Sequence, residues 1–293
     1  MKTPEKWLSL IHDTELSAGL YLAATPIGNL GDITLRVLNL LLHADQIWAE
    51  DTRNLRKLLN LYEIPVNSRP LLACHDHNEA NMVEKMVQSI KDGQIIAYVS
   101  DAGMPVVSDP GYRLIAGAHE ADVPFTVLPG ASAVLSALVL SGAPSDQFGF
   151  YGFIPNKAEK RAQFFDSLKT SGTTALAFES ANRVDKSLEA AQSVFGEAGQ
   201  VAIVREITKT FEEVIRGTIA EVIAAVDAQA VRGEVVMVFW PNVLDLETEE
   251  HISAKLEELM KTMRINDAVK AVANQTGWSR NDVYTLALAH KNT

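Results

Sequence analysis

The sequence predicts an α/β protein: two successive α/β units followed by a small C-terminal helical appendage. Three observations carry that expectation. Through the first half, short β-rich runs alternate with helix-length amphipathic segments, the pattern of βαβ units in a mostly parallel sheet. Around Phe150 to Lys160 the character changes: Pro155 and the charged run Asn156 to Arg161 read as a hinge before a second alternating series. Beyond the acidic stretch Leu244 to Glu250, read as a linker, only helical spacing remains. The expected boundaries are an N-terminal extension at 1–18, a first α/β unit at 19–153, a second at 154–243, and linker plus appendage at 244–293.

The first unit opens with a strand over Gly19 to Ala24 and the turn Thr25-Pro26-Ile27-Gly28-Asn29-Leu30-Gly31. Asp32 or Thr34 caps a helix to about His43, whose apolar stripe is Leu35, Leu38, Leu41 and Leu42. A strand at Gln46 to Ala49, a helix at Asn54 to Leu61, a strand at Leu71 to Cys74 and an amphipathic helix at Glu79 to Asp92 follow. The apolar run Gln94 to Val99 reads as a buried parallel strand. After it come a helix at Tyr112 to Glu120 and a strand at Phe125 to Leu128. The turn Pro129-Gly130-Ala131-Ser132-Ala133 then leads into an apolar helix ending near Gly142. In the second unit helices are expected at Arg161 to Lys169, Val184 to Phe195 and Ile219 to Ala228. Its strands are expected at Thr174 to Phe178, Gln200 to Val204, Glu213 to Gly217 and Glu234 to Trp240, with some antiparallel pairing. In the appendage, Ala268, Val269, Val272 and Ala273 place a helix over Ile265 to Gln275. After the turn Thr276-Gly277-Trp278, Ser279-Arg280-Asn281-Asp282 resembles a capping box opening a helix to His290. Helix, short glycine turn, helix is the helix-turn-helix pattern, and Lys261, Arg264, Lys270, Arg280 and Lys291 favour nucleic-acid contact there.

Composition bounds the functional class. The 293 residues are 47% hydrophobic and 22% charged, ordinary values for packed cores. A single cysteine, Cys74, excludes a disulfide framework and fits a reducing compartment. Met1 to Ser17 has no apolar core of a signal peptide, and Gly130 to Gly142 is too short to span a membrane, so the chain reads as soluble and cytoplasmic. A net charge of −11 runs against nucleic acid as a partner. Local basic clusters at Arg53, Arg56 and Lys57 and at Lys157, Lys160 and Arg161 run the other way.

The most informative stretch is Val99-Ser100-Asp101-Ala102-Gly103-Met104-Pro105-Val106-Val107-Ser108-Asp109-Pro110-Gly111. It leaves the carboxyl end of a buried strand, where open α/β sheets bind ligands. Two acids among glycines and prolines make a rigid loop that brings backbone and carboxylate close to a ligand, whereas a phosphate cradle uses exposed N–H groups and usually a lysine. Ribose hydroxyls, an amino group and a positive centre suit such a carboxylate, and S-adenosylmethionine carries all three. The alternative is that the aspartates, Asp109 above all, cap the next helix. His75-Asp76-His77 with Glu79 invites a metal, but no fourth ligand or cysteine completes the set, and no metal is expected.

Three segments, Leu22 to Arg36 (LAATPIGNLGDITLR), Ile96 to Arg113 (IAYVSDAGMPVVSDPGYR) and Val127 to Ala133 (VLPGASA), resemble the tetrapyrrole-methylase superfamily of S-adenosylmethionine enzymes. Within it, the chain is similar to the bacterial small-subunit ribosomal RNA (cytidine-1402-2′-O)-methyltransferase family. Four further segments share that likeness: Ala49 to Arg53, His75 to Glu79, Phe178 to Arg183 and Arg205 to Lys209. The similarity runs from about Leu20 to Trp240, and the C-terminal helices look like the family's appendage. Ala24-Thr25-Pro26 departs from the superfamily's usual Gly-x-Gly-Pro-Gly, which weighs against a corrin substrate.

The resemblance implies an S-adenosylmethionine cleft between the two α/β domains. Carried over by position, Pro26, Asp101, Met104, Ser132 and Ala133 would line it from the first domain, and main chain near Phe178 to Ser180 (Glu179 and Ser180 among them), near Glu206 and near Gly233 from the second. Arg53, His75, His77, Glu79, Arg183 and Lys209 would meet the substrate. A ribose hydroxyl is a poor acid, so a base helps; Asp51, Glu206 and Lys209 are candidates, the lysine through a lowered pKa. The implied reaction is 2′-O-methylation of cytidine 1402 in 16S ribosomal RNA of the small subunit, by a cytoplasmic homodimer. A precorrin methyltransferase and a non-catalytic ribosome assembly factor are the rival expectations.

Overall fold

The computed structural model describes residues 15–169, 172–240, 249–276 and 278–291. Most of the expected N-terminal extension and linker, and Gly277 of the expected turn, lie outside the described residues.

The first sheet contains β1 (Gly19–Ala23), β2 (Gln46–Ala49), β3 (Leu71–Ala73), β4 (Ile95–Val99) and β5 (Phe125–Leu128). They run in the order β3-β2-β4-β1-β5, every neighbouring pair parallel. Side-chain alternation sorts the strands onto two faces. Ala97 and Val99 of β4 join Ala23 and Ile47 against α1 (Leu35–His43) and α2 (Thr52–Leu61) through Val37, Leu40, Leu55 and Leu59. Ile96 and Tyr98 join Leu20, Leu22 and Trp48 against α3 (Glu79–Lys91) and α4 (Tyr112–Glu120) through Met86, Ile90, Leu114 and Ala118. Helices on both faces explain why these strands read as apolar runs rather than alternating ones. Thr34, not Asp32, caps α1: its hydroxyl accepts the Val37 N–H, while Asp32 ends a separate 3₁₀ turn.

The second sheet holds β6 (Phe148–Phe153), β7 (Thr174–Ser180), β8 (Gln200–Arg205), β9 (Glu213–Thr218) and β10 (Glu234–Trp240), ordered β6-β7-β10-β8-β9. Only β6 and β7 are parallel within it; the other pairs are antiparallel. Of the stretch Phe150 to Lys160, expected as hinge, Phe150 to Phe153 belong to the edge strand β6 and Ala158 to Lys160 open the next helix, and the crossover between sheets falls before Phe148. One face is covered by α6 (Ala158–Lys169), α7 (Val184–Phe195) and α8 (Ile219–Ala228). The other receives α5 (Ala133–Ser141), which leaves the first sheet and buries Val134, Ala137 and Leu138 on Leu176, Ala202, Val236 and Val238. A single helix thus ties one sheet to the other.

The C-terminal segment is three helices, α9 (Glu249–Met260), α10 (Ile265–Thr276) and α11 (Arg280–Lys291). They share a core of Ile252, Leu256, Ala268, Val269, Val272, Val283 and Ala287. Helix α9 was not expected, because Leu244 to Glu250 read as acidic linker and the apolar stripe Ile252, Leu256, Leu259 behind it is narrow. Of the expected capping box, the Ser279 half forms: its hydroxyl accepts the Asp282 N–H and donates to the Asp282 carboxylate.

Candidate active site

In the order β3-β2-β4-β1-β5, the chain leaves β1 past β4 toward β2 on one face and leaves β4 past β1 toward β5 on the other, so the loops after these two neighbouring strands turn to opposite faces of the sheet. That is the switch point at which a parallel sheet opens a crevice beyond its carboxyl ends. The two loops there are sewn together. Thr25 N–H donates to the Gly103 carbonyl at 2.9 Å, and Gly103 N–H returns to Thr25 at 3.0 Å. The Thr25 and Ser100 hydroxyls add bonds to the Ser100 and Gly103 carbonyls. Gly103 takes φ 80°, a conformation open chiefly to glycine.

The second sheet closes this crevice. Asn29 N–H donates to the Thr208 hydroxyl at 3.1 Å, and a side chain on Gly28 would run into Lys209 and Thr208. Between the sheets lies a cavity of about 440 Å³. Ile27, Ala102 and Ala133 line it from the first sheet's loops; Phe178 to Ala181, Ile207 and Gly233 to Val236 line it from the second. An annexe of about 110 Å³ shares Ile27, Ala102, Ala133, Phe153 and Phe178 and continues past Met104, Ser108, Asp109 and Ser132. Mostly apolar walls with a few polar groups at the rim are what a nucleoside-sized ligand requires.

The expected cofactor residues divide. Ala133, Ser180, Met104 and Ser132 line the two cavities, and Ser132 also caps α5 through the Leu135 N–H. Pro26 is buried immediately before Ile27. Asp101 does not line either cavity: it is exposed, and its carboxylate accepts from the Asn54 amide at 2.8 Å. Glu179 borders the larger cavity, but its buried carboxylate is taken by Ser180 N–H, Ser187 and the Arg183 guanidinium, with 2.6 Å in the ion pair. It therefore offers a ligand its main chain. Glu206 lies just outside, its carboxylate accepting from Lys209 at 2.9 Å and from Glu234 N–H at 3.0 Å.

The substrate candidates need more correction. Glu79 is buried, and its carboxylate accepts the N–H groups of Gly111, Arg113 and Leu114; it caps α4 and faces no substrate. Asp109, weighed as that cap, leaves the task to Glu79 and turns to the annexe instead. Arg183 is held by Glu179, and Arg161 is buried, so neither belongs to an open basic surface. Arg53 is exposed and clasps Asp51 at 2.6 Å, an interaction that lowers the Asp51 pKa to about 2 and makes it a weak base. Hydrogen bonds from the Glu234 N–H and Lys209 lower Glu206 in the same way. Lys209 runs opposite to expectation: burial opposes its charge, but Glu234 and Glu206 outweigh burial and raise its pKa. It is a structural cation, not a base. The His75 and His77 rings meet edge to face at 6.0 Å, with His75 Nδ1 buried and without a hydrogen-bond partner. Among the described residues no group of three or more His, Cys, Asp or Glu is placed to hold a metal.

Sequence reasoning missed Ile27, Phe153, Ile207 and Val236 among the apolar walls, whereas Phe178 and Gly233 stand where the resemblance put them. Apolar residues at strand ends look like core until the partner sheet is in place, so no local signal marks them.

Comparison with known proteins agrees with this geometry. The family model "Tetrapyrrole (Corrin/Porphyrin) Methylases" matches residues 19–223, and "RsmI C-terminal HTH domain" matches 247–291. A protein of Mesorhizobium japonicum named ribosomal RNA small subunit methyltransferase I is 41% identical, covering 95% of this chain and 94% of its own. One of Halalkalibacterium halodurans with the same name is 37% identical, covering 91% and 93%. Among solved structures, a diphthine synthase superposes with TM-score 0.59 at 13% identity over 76% of this chain and 89% of its own, a likeness of fold alone. With its switch-point cleft, its second sheet and its appended helices, the chain belongs to the ribosomal RNA small subunit methyltransferase I family of tetrapyrrole methylases.

Proposed function

We propose that this protein transfers a methyl group from S-adenosylmethionine to the 2′-hydroxyl of a cytidine ribose, cytidine 1402, in 16S ribosomal RNA of the small subunit. The observation that carries the reading is the cavity between the sheets at the switch point, in a chain whose whole length follows relatives of that name. The donor fits the residues present. The apolar walls suit an adenine and the aliphatic carbons of the donor, and the rim offers Ser132, Ser180 and main-chain groups for ribose and amino-acid ends.

The donor supplies an electrophilic methyl group, and the chain supplies position and dryness. The Thr25–Gly103 bridge fixes the loops after β1 and β4 relative to each other, which sets where reacting atoms can sit. Phe153 and Phe178, with ring centroids 5.3 Å apart, give the junction of the two cavities an apolar wall on which a bound donor would displace water. Methyl transfer to oxygen is an in-line displacement, so orientation and water exclusion provide much of the acceleration.

The protein acts in this reading as a cytoplasmic homodimer. No helix among the described residues is long and apolar enough to cross a membrane. Helix α5 is apolar on its outer side as well: Leu135 and Val139 are 54% and 79% exposed, near Leu140 on the same helix. A second copy covering that face removes it from water and brings together the basic surfaces of an otherwise acidic chain. Val139→Glu is expected to yield a monomer by light scattering; an unchanged oligomeric mass places the contact elsewhere.

The test of function is direct. Purified protein, labelled donor and small subunits from a strain lacking the modification should give one labelled ribose in 16S RNA. Donor binding without any label in RNA would remove this substrate, and a labelled precorrin in its place would reverse the choice.

A further inference from the structure

Three carboxylates reach the two cavities: Glu179, Glu234 and Asp109. Glu179 is held by Arg183 and Ser187, and Glu234 by Lys209. Asp109 has no Lys or Arg partner among the described residues. The groups that act on it are Glu50 beyond β2, Asp76 beyond β3, and Ser100 and Asp101 beyond β4; the Tyr98 hydroxyl also neighbours it, and His75 neighbours Glu50.

The loop that carries Asp109 is held in place on three sides. Val106 and Ser108 sit at φ 75° and 64°, the left-handed region that a β-branched residue rarely enters. Gly111, at φ 127°, is pressed so closely on Tyr98 and Val106 that a Cβ there would lie 2.9 Å from each. Glu79 anchors the N–H groups of Gly111, Arg113 and Leu114. Strain maintained by so many contacts marks a loop whose side chains must stay where they are.

We propose that Asp109 accepts the proton of the ribose hydroxyl as that oxygen is methylated. The assignment rests on the methyl-transfer reading above. As the new oxygen–methyl bond forms, the donor's carbon–sulfur bond breaks and its electron pair stays on sulfur. The hydroxyl proton passes to the Asp109 carboxylate and from there to solvent, so charge balances without another reactant. Burial, then the neighbouring Glu50, pushes the Asp109 carboxyl up to about 6, making it a stronger base than an ordinary aspartate while leaving it largely ionised at neutral pH. The stability sign follows. The folded carboxyl holds its proton more tightly than the unfolded one, so its contribution to stability is greatest in acid and is lost as pH rises from about 4 through about 6. A group that weakens the fold at working pH is there for another reason.

The test compares the unaltered protein with Asp109→Asn and Asp109→Glu. Calorimetry of S-adenosylmethionine binding near pH 6, in two buffers of different ionisation heat, reads proton release without RNA. The cationic donor favours the carboxylate, so the unaltered protein, half protonated at that pH, should release up to about half a proton, the Glu variant should also release protons, and the Asn variant none. Single-turnover methylation of unmodified small subunits at saturating donor should fall about a hundredfold or more in the Asn variant, lose its rise with pH, and recover in the Glu variant. Thermal midpoints near pH 7 should not fall in the Asn variant. Proton release that persists in Asp109→Asn, or a transfer rate within about twofold of the unaltered protein, overturns the assignment. Because proton release is measured without RNA, a wrong choice of RNA substrate leaves that result standing, so the two failures are told apart.

Discussion

Replacing Glu79 with alanine is expected to destabilise the first α/β unit by about 3 kcal/mol, the cost of leaving buried N–H groups without their charged acceptor. The carboxylate is 3% exposed and accepts from three backbone donors at the start of α4, at 3.0, 2.6 and 3.2 Å. That helix begins at Gly111, which has no side chain to cap it, so an anion from α3 replaces the missing local cap and opposes the helix dipole. Glu79→Gln keeps an acceptor oxygen but not the charge and should lose less. Denaturant midpoints give the free energies, and amide exchange at Gly111, Arg113 and Leu114 should accelerate in the alanine variant. The same change should weaken methyl-donor binding, because the loop that carries Asp109 loses its anchor. A loss under about 1 kcal/mol would mean that water or a neighbouring group satisfies those donors.

Ala133→Phe should abolish measurable donor binding, with affinity reduced more than a hundredfold, roughly 3 kcal/mol. Ala133 opens α5 and borders both the cavity of about 440 Å³ and its annexe. A phenyl ring there occupies the space the two share. The fold should survive, since the new side chain projects into an opening rather than into the packed face of Val134, Ala137 and Leu138. Calorimetric titration with S-adenosylmethionine, beside a thermal melt as control, reads both. A folded variant that still binds the donor would place the donor site elsewhere.

Much of the fold was legible because periodicity is a local property. Ile95 to Val99 is apolar on consecutive residues, as a strand buried between two helical layers must be. Helix α5 carried the same message, being apolar on every side because it packs on the second sheet and leaves Leu135 and Val139 outward. What escaped notice depends on contacts distant in sequence. Glu79 stands beside two histidines and looks like a cleft residue; only the packing of α3 on α4 turns it into a cap. Arg183 and Lys209 look like phosphate ligands until Glu179, Glu206 and Glu234 are seen to hold them. Strand β6 was hidden because Phe148 to Phe153 interleaves two glycines with aromatics and Pro155 follows close behind, a composition shared with loops. The loops after β1, β4 and β5 were readable as site elements, since their glycines and prolines have no purpose in the core.

The central claim is where the methyl donor sits. A crystal structure of the protein with S-adenosylmethionine should show it between the loops that follow β1, β4 and β5 and the edge formed by Glu179 to Ala181 and Gly233 to Val236, with its methyl group directed into the annexe beside Asp109. Donor density on the opposite side of the second sheet, or a cleft whose walls meet with no room for a ligand, would contradict the account.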